Sequence, residues 1–183
     1  MGLLKAYWNA YGGMRGLLLS PYFLVAIFLT AVLYPAWSVP GWWVDPIAIL
    51  PNMLGFSLGG YAMWIAIGDE SFRSLISGVE EDGEPSVFMQ VNAAFVHFIL
   101  LQILAILGAI ITKAYSFTWS SENFLVQALG ENFYLFCLGG YFIGYFLFIY
   151  ALLAAFAATF ALFRVSRWYD KYITNKKKTD NNH

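Results

Sequence analysis

A continuous run without a charged side chain, residues 133–163, constrains the fold of this chain more than any other feature. Its 31 residues would extend about 46 Å as an α-helix, because each residue adds about 1.5 Å. A helix needs only about 30 Å to cross the hydrocarbon layer of a membrane. Three further apolar runs cover residues 17–37, 47–68 and 87–112. The sequence therefore predicts four transmembrane helices.

The composition agrees with a membrane location. Of the 183 residues, 60% are hydrophobic and only 11% are charged. A soluble domain of this size could not bury so much apolar surface, so we predict an all-α integral membrane protein. The net charge of −1 gives no reason to expect direct binding of nucleic acid.

The basic residues predict the orientation. Lys113 alone falls between the third and fourth runs, and the other nine of the ten basic residues lie on the opposite side: Lys5, Arg15, Arg73, Arg164, Arg167, Lys171, Lys176, Lys177 and Lys178. Since basic residues are enriched on the cytoplasmic side, we expect both termini there, in a bacterial inner membrane. The first run is long for a signal peptide and no small-x-small site follows it, so we expect an uncleaved anchor.

A repeat appears at two glycine pairs. "NMLGFSLGGY" at residues 52–61 and "NFYLFCLGGY" at residues 132–141 share Asn, Phe, Leu, Gly, Gly and Tyr at equivalent positions. This predicts a duplicated helical hairpin, with copies at residues 17–68 and 87–168. Each copy crosses the membrane twice, so the two copies are parallel repeats with their glycine pairs at the same depth.

The glycines suggest close contact between helices. In lipid, small residues let helix backbones approach, and this approach replaces the hydrophobic effect as the means of packing. We therefore predict helix packing at Gly55, Gly59, Gly60, Gly139, Gly140 and Gly144, within one chain or between copies. A substrate pocket where glycine unwinds a helix is the third alternative.

Two segments flank the predicted crossings. Residues 1–16 carry an aromatic stripe typical of an interfacial amphipathic helix, although the stripe could also begin the first crossing. Residues 69–86 form a predicted cytoplasmic amphipathic loop that continues the second crossing. Its apolar face covers the protein's own helices, a soluble partner or the membrane surface. We predict that this face binds a partner through Phe72, Leu75, Ile76 and Val79.

The C-terminal region differs from the apolar run before it. Residues 169–183 form a basic and polar tail, in which Lys176, Lys177 and Lys178 should attract anionic lipid headgroups. We expect no regular structure in about the last eight residues. Because the fourth run is longer than one crossing, its end should project with its apolar side covered, which predicts a homo-oligomer.

Few polar side chains interrupt the apolar runs. The main ones are His97 and Gln102, and the milder cases are Asn52, Asn92, Asn132, Ser57 and Thr30. His97 could sense pH or line a polar cavity, but a neutral imidazole bonded to a neighbouring helix is the favoured interpretation. Asn52 and Asn132 are placed as helix-start or interfacial residues. No Asp, Glu, Lys or Arg lies in the four cores, which argues against ion-coupled transport.

No catalytic or metal-binding motif is present, so we expect a non-enzymatic protein without cofactor or metal. Three functions remain open: an oligomeric scaffold or sensor subunit that recruits a soluble cytoplasmic partner, an ion-conducting pore subunit, and a protein that binds lipid or another apolar ligand. The first is favoured because the cytoplasmic segments hold most of the polar content. Small four-crossing proteins serve in bacterial multi-component systems such as phage defence, an analogy of size and topology.

Overall fold

The computed structural model describes residues 2–66, 70–78, 85–116 and 123–180, apart from the side chains of residues 125 and 180. Within these ranges the chain is almost wholly helical and has no β-strand, which confirms the all-α prediction. A 3₁₀ turn, Gly130–Asn132, joins the last two helices. The α-helices are α1 (Leu3–Tyr11), α2 (Gly13–Leu18), α3 (Pro21–Val32), α4 (Tyr34–Trp37), α5 (Val44–Ala66), α6 (Glu70–Ile76), α7 (Val87–Ala114), α8 (Phe124–Leu129) and α9 (Phe133–Asp180).

Two helical stretches in the described residues are long and apolar enough to cross a membrane. They are Val87–Ala114 and Val126–Thr179. The predicted third and fourth runs correspond to α7, which begins at residue 87, and to α9, which begins at residue 133. These two helices are compatible with membrane association.

The first predicted crossing is not one continuous helix. The helical residues within 17–37 belong to three separate helices, α2, α3 and α4, and α3 has only 12 residues. A helix of that length extends about 18 Å, too short to cross a bilayer alone. Proline explains the interruptions, since Pro21 and Pro35 have no N–H to donate to a preceding turn. The prediction of a single helix here is wrong.

The last helix is longer than expected. α9 has 48 residues and continues to Asp180. The prediction that about the last eight residues lack regular structure is therefore wrong up to Asp180. The sequence contains neither Gly nor Pro after Gly144. Since these are the strongest helix breakers, nothing local ends the helix before the polar terminus.

The residues form two compact units. Unit 1 comprises Met1–Ser20, Ser57–Ile99 and Ala154–His183, and unit 2 comprises Pro21–Phe56 and Leu100–Leu153. Each unit combines segments of both predicted hairpins. The two repeated glycine pairs fall in different units, with Gly59 and Gly60 in unit 1 and Gly139 and Gly140 in unit 2.

In unit 1 the core forms around the first half of α7. Val91 and Phe95 are buried there, and Trp64 Nε1 donates a 3.0 Å hydrogen bond to Asn92 Oδ1. One face of α9 is also buried in this unit, through Ala154, Ala158, Ala161 and Val165. The spacing of these four residues follows one side of a helix. Part of the apolar continuation of α9 is thus covered within the chain.

Tryptophan rings organise unit 2. Trp37 Nε1 donates a 2.6 Å hydrogen bond to the Thr30 carbonyl, and its ring lies edge-on to Phe142 at 5.5 Å. Trp42 packs against α9 at Gly144. A Cβ on Gly144 would lie 2.7 Å from Cζ2 of the Trp42 ring, so only glycine fits this contact.

We predict that Gly144→Ala destabilises the fold by about 1–3 kcal/mol, the usual cost of overpacking a well-packed site. The physical reason is that the added methyl group must displace the Trp42 ring. Thermal unfolding of the purified protein in detergent measures the change. Gly140→Ala is the matched control, because its Cβ would meet no described atom within 4 Å. Equal unfolding midpoints for the two variants would contradict the assigned contact.

Candidate functional site

A large cavity lies in unit 2. Its volume is 990 Å³, and it is bounded by the end of α7, by α8 and by the first turns of α9. We call it the glycine groove because Gly139 and Gly140 form part of its wall. The side chains that enclose it are mostly apolar or aromatic, and include Ile111, Tyr115, Val126, Phe133, Phe136 and Tyr141.

The two glycines keep this groove open. An added Cβ at Gly139 or Gly140 would meet no described atom within 4 Å, and both residues are exposed. Side chains at these positions would enter the groove rather than clash with a neighbouring helix. A side chain at either glycine would therefore change the shape of the cavity.

At five of the six glycines, no described residue supplies the predicted packing contact. A Cβ would meet open space, as far as the described residues extend, at Gly55, Gly59, Gly60, Gly139 and Gly140. Gly144 does make a close contact, but with the Trp42 side chain and not with a helix backbone. Packing between copies of the chain stays a prediction.

The polar groups around the glycine groove are few. The Thr112 hydroxyl donates to the Gly108 carbonyl at 2.9 Å, and the Ser116 hydroxyl donates to the Lys113 carbonyl at 2.7 Å. Cys137, the single cysteine of the sequence, also lines the groove. No charged side chain is found among its described lining residues. Such a surface suits an apolar guest and offers little to a charged one.

A second cluster surrounds His97 in unit 1. His97 Nδ1 and the Tyr7 hydroxyl share a 2.7 Å hydrogen bond, and the Tyr11 ring stacks on the imidazole with centroids 3.9 Å apart. The favoured sequence interpretation, an imidazole bonded to a neighbouring helix, matches this geometry. Burial raises the pKa of the Tyr7 phenol to about 12, with a smaller effect from Tyr11, so the hydroxyl stays protonated at neutral pH.

Glycines end α1 where its tyrosines reach His97. Gly12 adopts a left-handed conformation with φ of 98° and caps the helix, its N–H donating to the Asn9 carbonyl. At Gly16 a Cβ would lie 2.8 Å from the Tyr11 carbonyl oxygen, so a side chain has no room there. The aromatic stripe therefore belongs to a separate short helix and does not begin a long crossing.

The other predicted polar residues are dispersed. Gln102 is fully buried in unit 2, and Ser57 and His97 are buried in unit 1. Asn132 directly precedes α9, as expected of a helix-start residue. Asn52 is exposed and lies inside α5, which begins at Val44, so its helix-start interpretation is wrong.

The residues of the predicted partner-binding face on α6 differ in exposure. Phe72 is only 1% exposed and packs edge-on against Tyr169 at 4.9 Å, so its assignment to a partner surface is wrong. Leu75, in contrast, is 68% exposed, and Ile76 is half-buried. Val79 lies outside the described residues.

A smaller groove of 390 Å³ adjoins α6. We call it the Trp168 groove; Phe72, Leu75, Ile76, Val87 and Trp168 line it, with Ser77, Gly78 and Ser86. Arg73 Nη2 donates a hydrogen bond to the Ile65 carbonyl near the end of α5, which ties α6 to that helix. All three predicted headgroup-binding lysines, Lys176, Lys177 and Lys178, are exposed on the last turns of α9.

Sequence reasoning missed two of these arrangements. The contact of Trp42 with Gly144 joins residues far apart in the chain, and no local pattern indicates it. The Tyr7 and Tyr11 pair had a signal, since tyrosines at i and i+4 followed by two glycines mark a short helix with one aromatic face. That signal does not identify His97 as the residue it covers.

Among the described residues, no three His, Cys, Asp or Glu side chains are placed to hold a metal ion. Comparison of the chain with protein-family models, with curated proteins and with solved structures gave no significant match. The functional argument therefore depends on the geometry of the grooves.

We predict that Tyr7→Phe lowers the free energy of unfolding by about 1 kcal/mol, the usual net value of one hydrogen bond. The substitution keeps the ring next to His97 and removes only the hydroxyl that bonds Nδ1. Equilibrium unfolding in detergent measures the loss. Tyr134→Phe is the control, because the Tyr134 ring is 60% exposed. Equal stability of both variants would show that the hydrogen bond does not hold α1 in place.

Proposed function

We propose that this chain is a non-enzymatic membrane protein that binds a long apolar molecule, such as a lipid acyl chain, in the glycine groove. The observation that carries the proposal is the 990 Å³ apolar cavity walled by Gly139 and Gly140. Its size lies at the upper end of ordinary small-molecule sites, which range from about 300 to 1,000 Å³. An alkyl chain gains contact with aromatic and aliphatic side chains there and needs no polar partner.

The proposal includes a four-crossing topology with both termini in the cytoplasm. α7 and α9 supply two crossings. α5 has 23 residues, which extend about 35 Å, and α3 with α4 occupies most of the first apolar run. The distribution of basic residues supports this orientation, and a bacterial inner membrane is the expected location.

The chemistry of the groove favours binding over catalysis. The Thr112 and Ser116 hydroxyls are bonded to the Gly108 and Lys113 carbonyls, and the other hydroxyls of the lining are the phenols of Tyr115 and Tyr141. No His, Asp, Glu or Lys is among its described lining residues to activate Cys137. A thiol without a nearby base or positive charge is a weak nucleophile. A binding role therefore fits the side chains better than an enzymatic one.

Saturable photolabelling tests the proposal. The protein is reconstituted in lipid nanodiscs with a fatty acid that carries a photoactivatable group near its tail, and labelled peptides are identified by mass spectrometry. We expect labelling of residues 133–143 that excess unlabelled fatty acid suppresses at least fivefold. Labelling of outward helix faces by bulk lipid does not saturate, which separates the groove from the general lipid contact.

The repeat supplies a matched pair of variants for this experiment. Gly140→Leu should abolish the saturable labelling, because the leucine side chain enters the glycine groove. Gly60→Leu places the same side chain at the equivalent repeat position, outside the groove lining, and should leave labelling unchanged. Labelling that never saturates, or that both variants lose equally, would refute an apolar binding site here.

A second candidate is the oligomeric scaffold or sensor subunit that recruits a soluble cytoplasmic partner. One observation favours it: Leu75 exposes 68% of its surface on α6, in a segment placed in the cytoplasm by the proposed topology. An exposed leucine next to an apolar groove is a common feature of a docking face. The pore alternative stays a prediction.

For the scaffold we predict that Leu75→Glu abolishes co-purification of a stoichiometric soluble partner from the native host. The buried Phe72 is unsuitable for this test, because a charge there would disrupt the packing of α6 on Tyr169. Ser71→Glu adds the same charge at an exposed position of α6 and serves as the control. A partner that Leu75→Glu retains, or that both variants lose, would contradict recruitment through Leu75.

A further inference from the structure

The first three basic residues after the long apolar run of α9 lie on one side of that helix, and one exposed acidic residue, Asp170, lies among them in the sequence. Arg164, Arg167 and Lys171 are all exposed, and Trp168 lies among them and lines the Trp168 groove. We call these three residues the basic turn. We propose that the basic turn and the Trp168 groove together bind an anionic phospholipid on the cytoplasmic side of the membrane.

The geometry at Trp168 links the charge to the groove. The Arg164 guanidinium carbon lies 5.4 Å from the centroid of the Trp168 ring, a cation–π arrangement that holds the charge at the rim. Val87, the first residue of α7, lines the same groove. The groove thus lies where the apolar part of α7 begins and that of α9 ends, which is the level of the lipid headgroups for helices that cross.

The order of side chains along α9 matches the order of groups in a phospholipid. Phe156, Phe160 and Phe163 are exposed at i, i+4 and i+7 spacing, so they share one face. The basic turn follows directly, and Arg164 and Arg167 lie four residues after Phe160 and Phe163, so they continue the same face. Acyl chains would lie against the phenylalanines, and the phosphate would lie at the guanidinium groups of Arg164 and Arg167, which come next along the helix.

The charge decides in favour of a phospholipid with a negative headgroup. A guanidinium group donates two parallel hydrogen bonds to a phosphate, which gives the basic turn specificity as well as attraction. A zwitterionic headgroup would place a positive choline next to the same arginines. An exposed aromatic and basic face in this order also matches lipid better than a soluble protein segment, which would not use the phenylalanines.

The structure also distinguishes this site from the predicted headgroup lysines. Because α9 stays helical to Asp180, Lys177 lies 13 residues beyond Arg164, about 20 Å along the helix axis. A headgroup at Arg164 therefore does not reach Lys177. The basic turn and the lysine cluster are therefore two separate candidate headgroup sites, of which the sequence alone predicted only Lys176–Lys178.

Native mass spectrometry of the full chain tests the proposal. The protein is purified in detergent, stripped of lipid and titrated with phosphatidylglycerol or, separately, with phosphatidylcholine. We expect preferential binding of phosphatidylglycerol. Arg164→Gln with Arg167→Gln should lower its affinity about 25-fold, since each basic residue near an anionic surface contributes about fivefold. Phosphatidylcholine binding should not change.

The matched control removes two charges elsewhere on α9. Lys177→Gln with Lys178→Gln should change phosphatidylglycerol affinity less than twofold. Circular dichroism checks the helix content of each variant. If the glutamine variant loses its fold, Arg164→Lys with Arg167→Lys keeps the charge, and its loss of bidentate bonding should still lower affinity severalfold.

Three results would overturn the proposal. The first is equal affinity of the wild-type chain for both lipids. The second is an equal or larger loss in the lysine variant, which would place the headgroup at the end of α9. The third is full competition by glycerol phosphate, which has the headgroup charge but no acyl chains and would indicate a site for free phosphate. The site rests on the membrane orientation of the proposed function but uses no residue of the glycine groove, so a failed lipid titration and a failed photolabelling experiment are distinguishable.

Discussion

The structure depends on one requirement of apolar surroundings, whether lipid or protein interior: peptide N–H and carbonyl groups must find hydrogen-bond partners within the chain. A charge-free run of 31 residues meets that requirement only as a helix, and α9 continues from Phe133 to Asp180 without a break. The first apolar run divides next to Pro21 and Pro35, which have no N–H to donate, whereas α5 continues through Pro51. The last run contains no proline, and its helix is continuous.

Within that helical framework, aromatic rings replace the close helix contacts that the glycines suggested. Trp42 packs on Gly144 in unit 2, and Tyr7 and Tyr11 cover His97 in unit 1. These large rings fill space between helix backbones. At the other five glycines of the two repeats, a Cβ would meet no described atom within 4 Å. A chain in which 20% of residues are aromatic has enough ring surface for this form of packing.

The sequence predicted those features that depend on local pattern. The starts of α7 and α9 follow from hydropathy, and the short helix α6 follows from the spacing of Phe72, Leu75 and Ile76. It failed where the answer depends on distant residues. Nothing around Gly140 shows that no neighbour approaches it, and nothing around Gly144 indicates that Trp42 does. The Phe72 error has the same origin, because Tyr169 belongs to a helix almost a hundred residues later. Burial of an apolar side chain can be read from periodicity, but the identity of its partner cannot.

The open volume at Gly139 and Gly140 has a consequence for how this protein can change over generations. Since a Cβ at either position meets no described atom within 4 Å, alanine or a slightly larger residue can shorten the groove without straining the backbone. Under the proposed function, selectivity for the length of an apolar guest could then change while the helix is kept. Under the same proposal, relatives of this chain would differ in the apolar molecule that they bind before they differ in fold.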